Sequence, residues 1–163
     1  MSFSFRTIGP FDNEGGLKFA KTIYGNFAYL RYIPEMKHTS MEILRLVTDK
    51  NFIGIMVYSP SDALVGYLVG EKMALQDGRY VFYVSYLYVS DKYRDRGLGS
   101  KLIDIIITLC REELGIHFIV LTCLRQNTKA CNFYLHKGFK DDILIHADGD
   151  RRIMTYYIDT IYN

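Results

Sequence analysis

The spacing of apolar and polar positions changes period several times along the chain, and each change marks an element. Ser2 to Thr7 alternates Phe3 and Phe5 with polar neighbours, the two-residue period of a half-buried strand, and Gly9-Pro10 ends it. From Gly16 to about Arg31, residues Leu17, Ala20, Ile23, Tyr24, Phe27 and Leu30 recur at helical spacing and predict a helix with one packed face, weakened at Gly25. Tyr32-Ile33-Pro34-Glu35 reads as a linker, because the residue before a proline is pushed out of the helical region. Thr39-x-x-Glu42 has the form of a capping box and opens a second helix through Ile43, Leu44, Leu46 and Val47. The apolar run Phe52 to Tyr58 and its return, Leu64 to Gly70, predict a hairpin over the Ser59-to-Ala63 turn.

After a second turn at Gln76-Asp77-Gly78, Tyr80 to Val89 is a long strand. The helix starting at Leu98 is apolar on most sides, with one polar stripe of Lys101, Asp104, Thr108 and Arg111, and Gly115 caps it. Phe118 to Leu124 has the continuous apolar character of a buried parallel strand. Asn127 or Thr128 caps a helix over Lys129 to Lys137 that Gly138 stops. Phe139 to His146 and Arg152 to Asp159 predict a final antiparallel pair joined by Ala147-Asp148-Gly149-Asp150. The order is β-α-α-β-β-β-α-β-α-β-β, an α/β (α+β) arrangement.

Composition narrows the class. With 163 residues the chain reads as one domain over 1–163, and 49% hydrophobic with 23% charged residues excludes disorder as the main state. A net charge of +2 implies no nucleic-acid or membrane partner, and no apolar run reaches transmembrane length or resembles a signal core. Three cysteines without paired spacing suggest neither a disulfide framework nor a zinc site, which favours a reducing, cytoplasmic setting. His38, His117, His136 and His146 are scattered without metal-ligand spacing, so no metal is expected.

The candidate chemistry sits where the long strand meets the apolar helix. Arg94-Asp95-Arg96-Gly97-Leu98-Gly99-Ser100 is a basic, glycine-bearing turn feeding a helix start. Unpaired first-turn N–H groups and the positive end of the helix dipole suit a diphosphate there, and two glycines let it approach the backbone. The string lacks the three glycines of the dinucleotide fingerprint and the lysine of the P-loop. A structural reading of the same residues is a turn that merely begins a helix.

The turn is similar to the R/Q-x-x-G-x-G/A motif of the GNAT family of N-acetyltransferases, whose backbone amides hold the pyrophosphate of acetyl-coenzyme A. A second segment, Asn127-x-x-Ala130-x-x-Phe133-Tyr134-x-His136-x-Gly138-Phe139, resembles the family's N-x-x-A-x-x-F/L-Y-x-K-x-G-F, with His136 where the pattern has lysine. The resemblance implies a GNAT fold, with a central mixed seven-stranded twisted sheet flanked by about four helices. It implies that Leu87, Tyr88 and Val89 accept the pantetheine arm along the strand, that Arg94 to Ser100 hold the pyrophosphate, and that Asn127 bonds the pantetheine. Tyr134 would face the thioester sulfur as the acid, and a backbone N–H near Val89 would stabilise the oxyanion. Asn127 is equally explained as an N-cap, and Tyr134 as an anchor for its helix.

Direct attack by an amine is then the expected route, with Cys123 and Cys131 read as core cysteines rather than nucleophiles. In the family's N-terminal amino-acid acetyltransferases a strand tyrosine and a histidine relay the amine's proton. Ungapped alignment on the glycine turn puts Tyr83 at the first position and Thr122 at the second, and Glu71 is an alternative base. Ile33-Pro34 lies where those enzymes build an acceptor pocket, which points to a protein or peptide N-terminus. Polyamines or amino sugars stay open, with Glu35, Glu71 and Asp148 as cation partners, as does a coenzyme A-binding protein without turnover. The expected partners are acetyl-CoA and an amine acceptor, in a monomer or homodimer.

Overall fold

The computed structural model describes residues 2–33, 36 and 38–158. Its strands are β1 (Ser4–Ile8), β2 (Phe52–Tyr58), β3 (Leu64–Ala74), β4 (Tyr80–Val89), β5 (Phe118–Leu124), β6 (Lys140–Asp141) and β7 (Arg151–Tyr157). Its helices are α1 (Asn13–Asn26), α2 (Ser40–Thr48), α3 (Leu98–Leu109) and α4 (Thr128–Lys137). One seven-stranded sheet runs in the order β1-β2-β3-β4-β5-β7-β6. Only the β4–β5 pair is parallel, so the sheet is mixed. No helix among the described residues is long and apolar enough to cross a membrane.

The central strands are apolar along their length because both faces are covered. On one face Ile55, Leu68, Phe82 and Ile119 pack against Leu102, Ile103 and Ile106 of α3, and Cys131, Phe133 and Tyr134 of α4 join the same core. On the other, Phe52, Met56, Tyr67 and Tyr86 meet Phe19, Ala20 and Ile23 of α1 and Ile43 and Val47 of α2. The capping box is present: Glu42 N–H donates to Thr39 Oγ1 at 3.1 Å and Thr39 N–H to Glu42 Oε1 at 3.0 Å.

Two elements differ from their sequence pattern. The first helix starts three residues early, because Asp12 Oδ1 accepts the Gly15 N–H at 2.7 Å, and it gives way after Asn26 to a 3-10 turn over Ala28–Tyr32. The strand predicted over Phe139 to His146 pairs only at Lys140 and Asp141. Asp142 ends it: the carboxylate is drawn inward to Arg79 and Thr155 while accepting the N–H groups of Leu144 and Ile145, which turns the chain out of the sheet. Pro34, Glu35 and Asp159 lie outside the described residues.

One irregularity positions the site. The β3–β4 register passes from Val69↔Tyr86 to Gly70↔Val84, leaving Ser85 unmatched as a β-bulge. The bulge fits only because position 70 is glycine, since a Cβ there would stand 2.0 Å from the Tyr83 carbonyl oxygen. Bulges bend a strand and raise its twist. Pairing of β4 with β5 covers Phe82↔Ile119, Tyr83↔Val120 and Val84↔Leu121 and stops at the bulge. Beyond it the two parallel strands part, and their facing edges no longer satisfy each other.

Candidate active site

Two cavities open onto the gap where β4 and β5 part. Between α4 and the 3-10 turn a cavity of about 150 Å³ is lined by Ser85, Leu87, Thr122, Asn127 and Tyr134 on one side and by Phe27, Tyr29, Leu30 and Met36 on the other. On the α2 side a larger cavity of about 480 Å³ is lined by His38, Glu42, Glu71, Tyr83, Thr122 and Arg151 among others. Ser85, Tyr86 and Thr122 line both, so the two cavities meet at the point where the strands separate.

The glycine turn lies between the end of β4 and the start of α3. Asp95 and Gly97 both have positive φ, 63° and 77°, and Gly97 is the N-cap of α3. Lys101 N–H bonds Gly97 O at 3.0 Å, whereas the amides of Leu98, Gly99 and Ser100, at the helix start, have no helical acceptor. Leu98 itself is buried, so its backbone rather than its side chain faces the turn. Arg94 is tied to the turn, with Nε donating to Val89 O at 2.8 Å and Nη1 pairing with Asp91 at 2.7 Å. Arg96 lies 5.4 Å over the Tyr93 ring.

Sequence reasoning missed Lys137, whose Nζ donates to Ser100 Oγ at 2.8 Å and to Asp104 at 2.6 Å. It fastens α4 to the first turn of α3 and adds a cation beside the cradle. The Ser100 hydroxyl is therefore engaged, and its amide is what the turn offers to a ligand.

Asn127 and Tyr134 stand on opposite ends of α4, and both line the smaller cavity. Asn127 Oδ1 accepts from Ala130 N–H at 3.2 Å, the N-cap role, which occupies its acceptor and leaves the Nδ2 donors on the other branch. Tyr134 packs edge-on to Phe133 and Phe139, and burial raises its phenol well above the usual tyrosine range, so it stays protonated at any physiological pH. Leu87 lines this cavity too, while Tyr88 points to the opposite face against Tyr67 and Phe27.

Cys123 and Cys131 lie side by side beneath Tyr134, Sγ to Sγ 3.1 Å. Both are buried, and burial raises the Cys123 thiol to about 12, which suits packing and not nucleophilic attack.

In the larger cavity Tyr83 Oη and Thr122 Oγ1 are hydrogen-bonded at 2.7 Å across β4 and β5, and burial raises the Tyr83 phenol. Glu71 faces Tyr83 from β3, and burial followed by the neighbouring Asp49 charge raises its carboxyl. Tyr86, hydrogen-bonded to His38 Nδ1, forms part of the wall between the cavities. Sequence reasoning did not single out Ser85, Tyr86, Tyr29 or Arg151. The bulge had a signal, because inward positions Phe82, Val84, Leu87 and Val89 slip by one residue between Val84 and Leu87. Asp148 is not among the residues that line this cavity. No group of three or more potential metal ligands occurs among the described residues.

A family model described as acetyltransferase (GNAT) family matches residues 22–139. A search of curated proteins finds no match by sequence. Among solved structures the chain is similar to Arabidopsis thaliana NAA60 in complex with acetyl-CoA, at 18% identity and TM-score 0.70 over 96% of this chain and 99% of that one. The same protein with a bisubstrate analogue aligns at 17% identity and TM-score 0.69, over 98% and 100%. The PaiA N-acetyltransferase of Thermoplasma acidophilum, in complex with coenzyme A, aligns at 21% identity and TM-score 0.66, over 96% and 99%. At these identities the likeness is one of fold.

Proposed function

The chain belongs to the GNAT acetyltransferase family, and from that we propose that it transfers acetyl from acetyl-CoA to the amino terminus of a protein or peptide by direct attack. The observation that carries this reading is that two cavities meet between β4 and β5, with Tyr134 bordering one and Tyr83 the other. A thioester threaded from the α3–α4 side and an amine arriving from the α2 side would meet there without crossing.

The pyrophosphate would lie on the amides from Gly97 to Ser100, with the pantetheine running as an added strand along the edge of β4 at Leu87 to Val89, which β5 does not pair. Asn127 would donate to the pantetheine through Nδ2. As the amine attacks, negative charge grows on the carbonyl oxygen, and a β4 amide near Val89 would stabilise it. The tetrahedral intermediate collapses with the C–S bond breaking, and Tyr134 gives its proton to the leaving thiolate. The proton lost by the amine would pass to water ordered by Tyr83 and Thr122 and on to Glu71, whose raised pKa makes it a stronger base than an exposed carboxylate.

A peptide acceptor suits the exposed apolar groups beside cavity-lining positions in sequence: Met41 precedes Glu42, and Ile143 and Leu144 precede Ile145. Glu42 and Glu71 favour the second reading, a small polyamine or amino sugar, by offering carboxylates to a cation. A library of short peptides and a panel of small amines, incubated in parallel with acetyl-CoA and read by thiol release and product mass, separates the two. Acetylated peptide amino termini are expected, and product from small amines alone would replace the peptide reading. A large thermal shift with acetyl-CoA but no product from either set would indicate coenzyme binding without turnover.

A further inference from the structure

Of three arginines on or bonded to the β6–β7 end of the sheet, two are neutralised and the third lines the acceptor cavity. Arg79 pairs with Asp77 at 2.8 Å and Asp142 at 2.9 Å, and Arg152 pairs with Asp141 at 2.9 Å. Arg151 has no carboxylate within salt-bridge distance among the described residues, and its Nε is buried with no hydrogen-bond partner. Yet its side chain lines the acceptor cavity, on the same face of β7 as Ile153, which also lines it. A guanidinium presents donors in a planar fork that fits a carboxylate, and leaving a buried donor unmatched is costly.

The acidic side chains of the cavity, and its histidine, are on its far side. Glu71 is on β3, three strands from β7, and Glu42 and His38 come from the start of α2, with Glu42 Oε1 already accepting in the capping box. The floor thus runs from carboxylate at β3, across the Tyr83–Thr122 hydrogen bond, to guanidinium at β7. Arg151 stands opposite Leu124, one strand over and two residues along from Thr122, roughly 8 Å by sheet spacing. An amine at the strand gap would place a carboxylate a few bonds away within reach of the Arg151 fork. The guanidinium also acts on Tyr83, opposing the burial that raises its phenol.

We propose that Arg151 is a specificity-determining residue that binds a carboxylate carried by the acceptor close to its reacting amine, so that the preferred peptide begins with Asp or Glu. The inference rests on the peptide-amine reading for the peptide but not for the carboxylate, since a free acidic amino acid offers the same chemistry. The test compares tetrapeptides beginning with Glu and with Gln, and free glutamate with free glutamine, on the wild type and on Arg151→Gln and Arg151→Lys. Binding is measured by calorimetry on protein saturated with coenzyme A, and turnover by product mass with acetyl-CoA.

The expected result is at least tenfold tighter binding of the acidic member of a pair to the wild type. That ratio should fall below about twofold in Arg151→Gln and recover in part in Arg151→Lys, with the turnover preference appearing in KM. Acetyl-CoA thermal shifts matching the wild type show that the variants fold. Equal binding of acidic and amide members by the wild type, or a preference that survives Arg151→Gln, overturns the proposal. Tight, Arg151-dependent binding of free glutamate with idle peptides removes the peptide reading and leaves the carboxylate site standing.

Discussion

At the scale of single residues, the two phenols of the site differ in what surrounds them. Tyr134 lies among Phe133, Phe139 and the thiols, where burial and then the Cys123 thiol hold its proton on. Tyr134→Phe should therefore lower kcat about a hundredfold, the lower range for loss of a positioned acid, with acetyl-CoA affinity within twofold of wild type. Stopped-flow thiol release and calorimetry check this, and a full-rate mutant removes the acid. Glu71 is informative through its sign. Its carboxyl is raised on folding, so the ionised form is penalised in the folded state, and activity that needs that form must rise with pH through a value above the usual carboxylate range. Glu71→Gln should abolish that limb of the pH profile while leaving thermal stability at neutral pH equal or higher. A profile that keeps the limb assigns the base elsewhere.

At the scale of elements, the β4 bulge and the α3 start do most to shape the site, and both depend on glycine. A Cβ at Gly70 would collide with the Tyr83 carbonyl oxygen, a backbone atom that cannot step aside. Gly70→Ala should then lower the melting temperature by several degrees and cost activity beyond that loss, because β4 must shift at the point where it leaves β5. Unchanged kcat in a destabilised Gly70→Ala would show the bulge to be incidental to catalysis. Gly99 contrasts with it: a Cβ there finds only ordinary contact, 3.6 Å from the Phe133 ring. Gly99→Ala should keep the fold's stability, and a drop of about tenfold in coenzyme affinity would then read the ligand and not the scaffold. Both strands and the glycine turn were legible in sequence because period, apolar runs and Arg94-x-x-Gly97-x-Gly99 are local signals. The gap between β4 and β5 was not, since it depends on register against β3, where one unmatched residue, Ser85, decides how far the parallel pair extends.

At the scale of the whole molecule, one buried ion pair joins elements far apart in sequence. Arg79 at the start of the β4 hairpin meets Asp142 after β6, and Thr155 of β7 donates to the same carboxylate. No spacing in the sequence announces this contact, because its partners are 63 residues apart, and so Phe139 to His146 read as a continuous strand. Burial alone would raise the Asp142 carboxyl, but hydrogen bonds from Arg79, Thr155 and the amides of Ile145 and Leu144 outweigh it and hold the group well below the usual carboxylate range. A depressed folded pKa contributes stability that is complete above the unfolded value near 4 and is lost as pH falls through the folded one. The protein should accordingly lose stability on acidification below about pH 4. Asp142→Asn should flatten that acid dependence and, by leaving a largely buried arginine short of a partner, cost about 3 kcal/mol at neutral pH. Urea unfolding followed at several pH values checks both. Because Ile145 and Arg151 bracket the loop that Asp142 anchors and both line the larger cavity, proposed to take the acceptor, the same variant should raise KM for the amine more than for acetyl-CoA. Equal changes in the two would mean that the anchor supports the sheet as a whole and not the acceptor side alone.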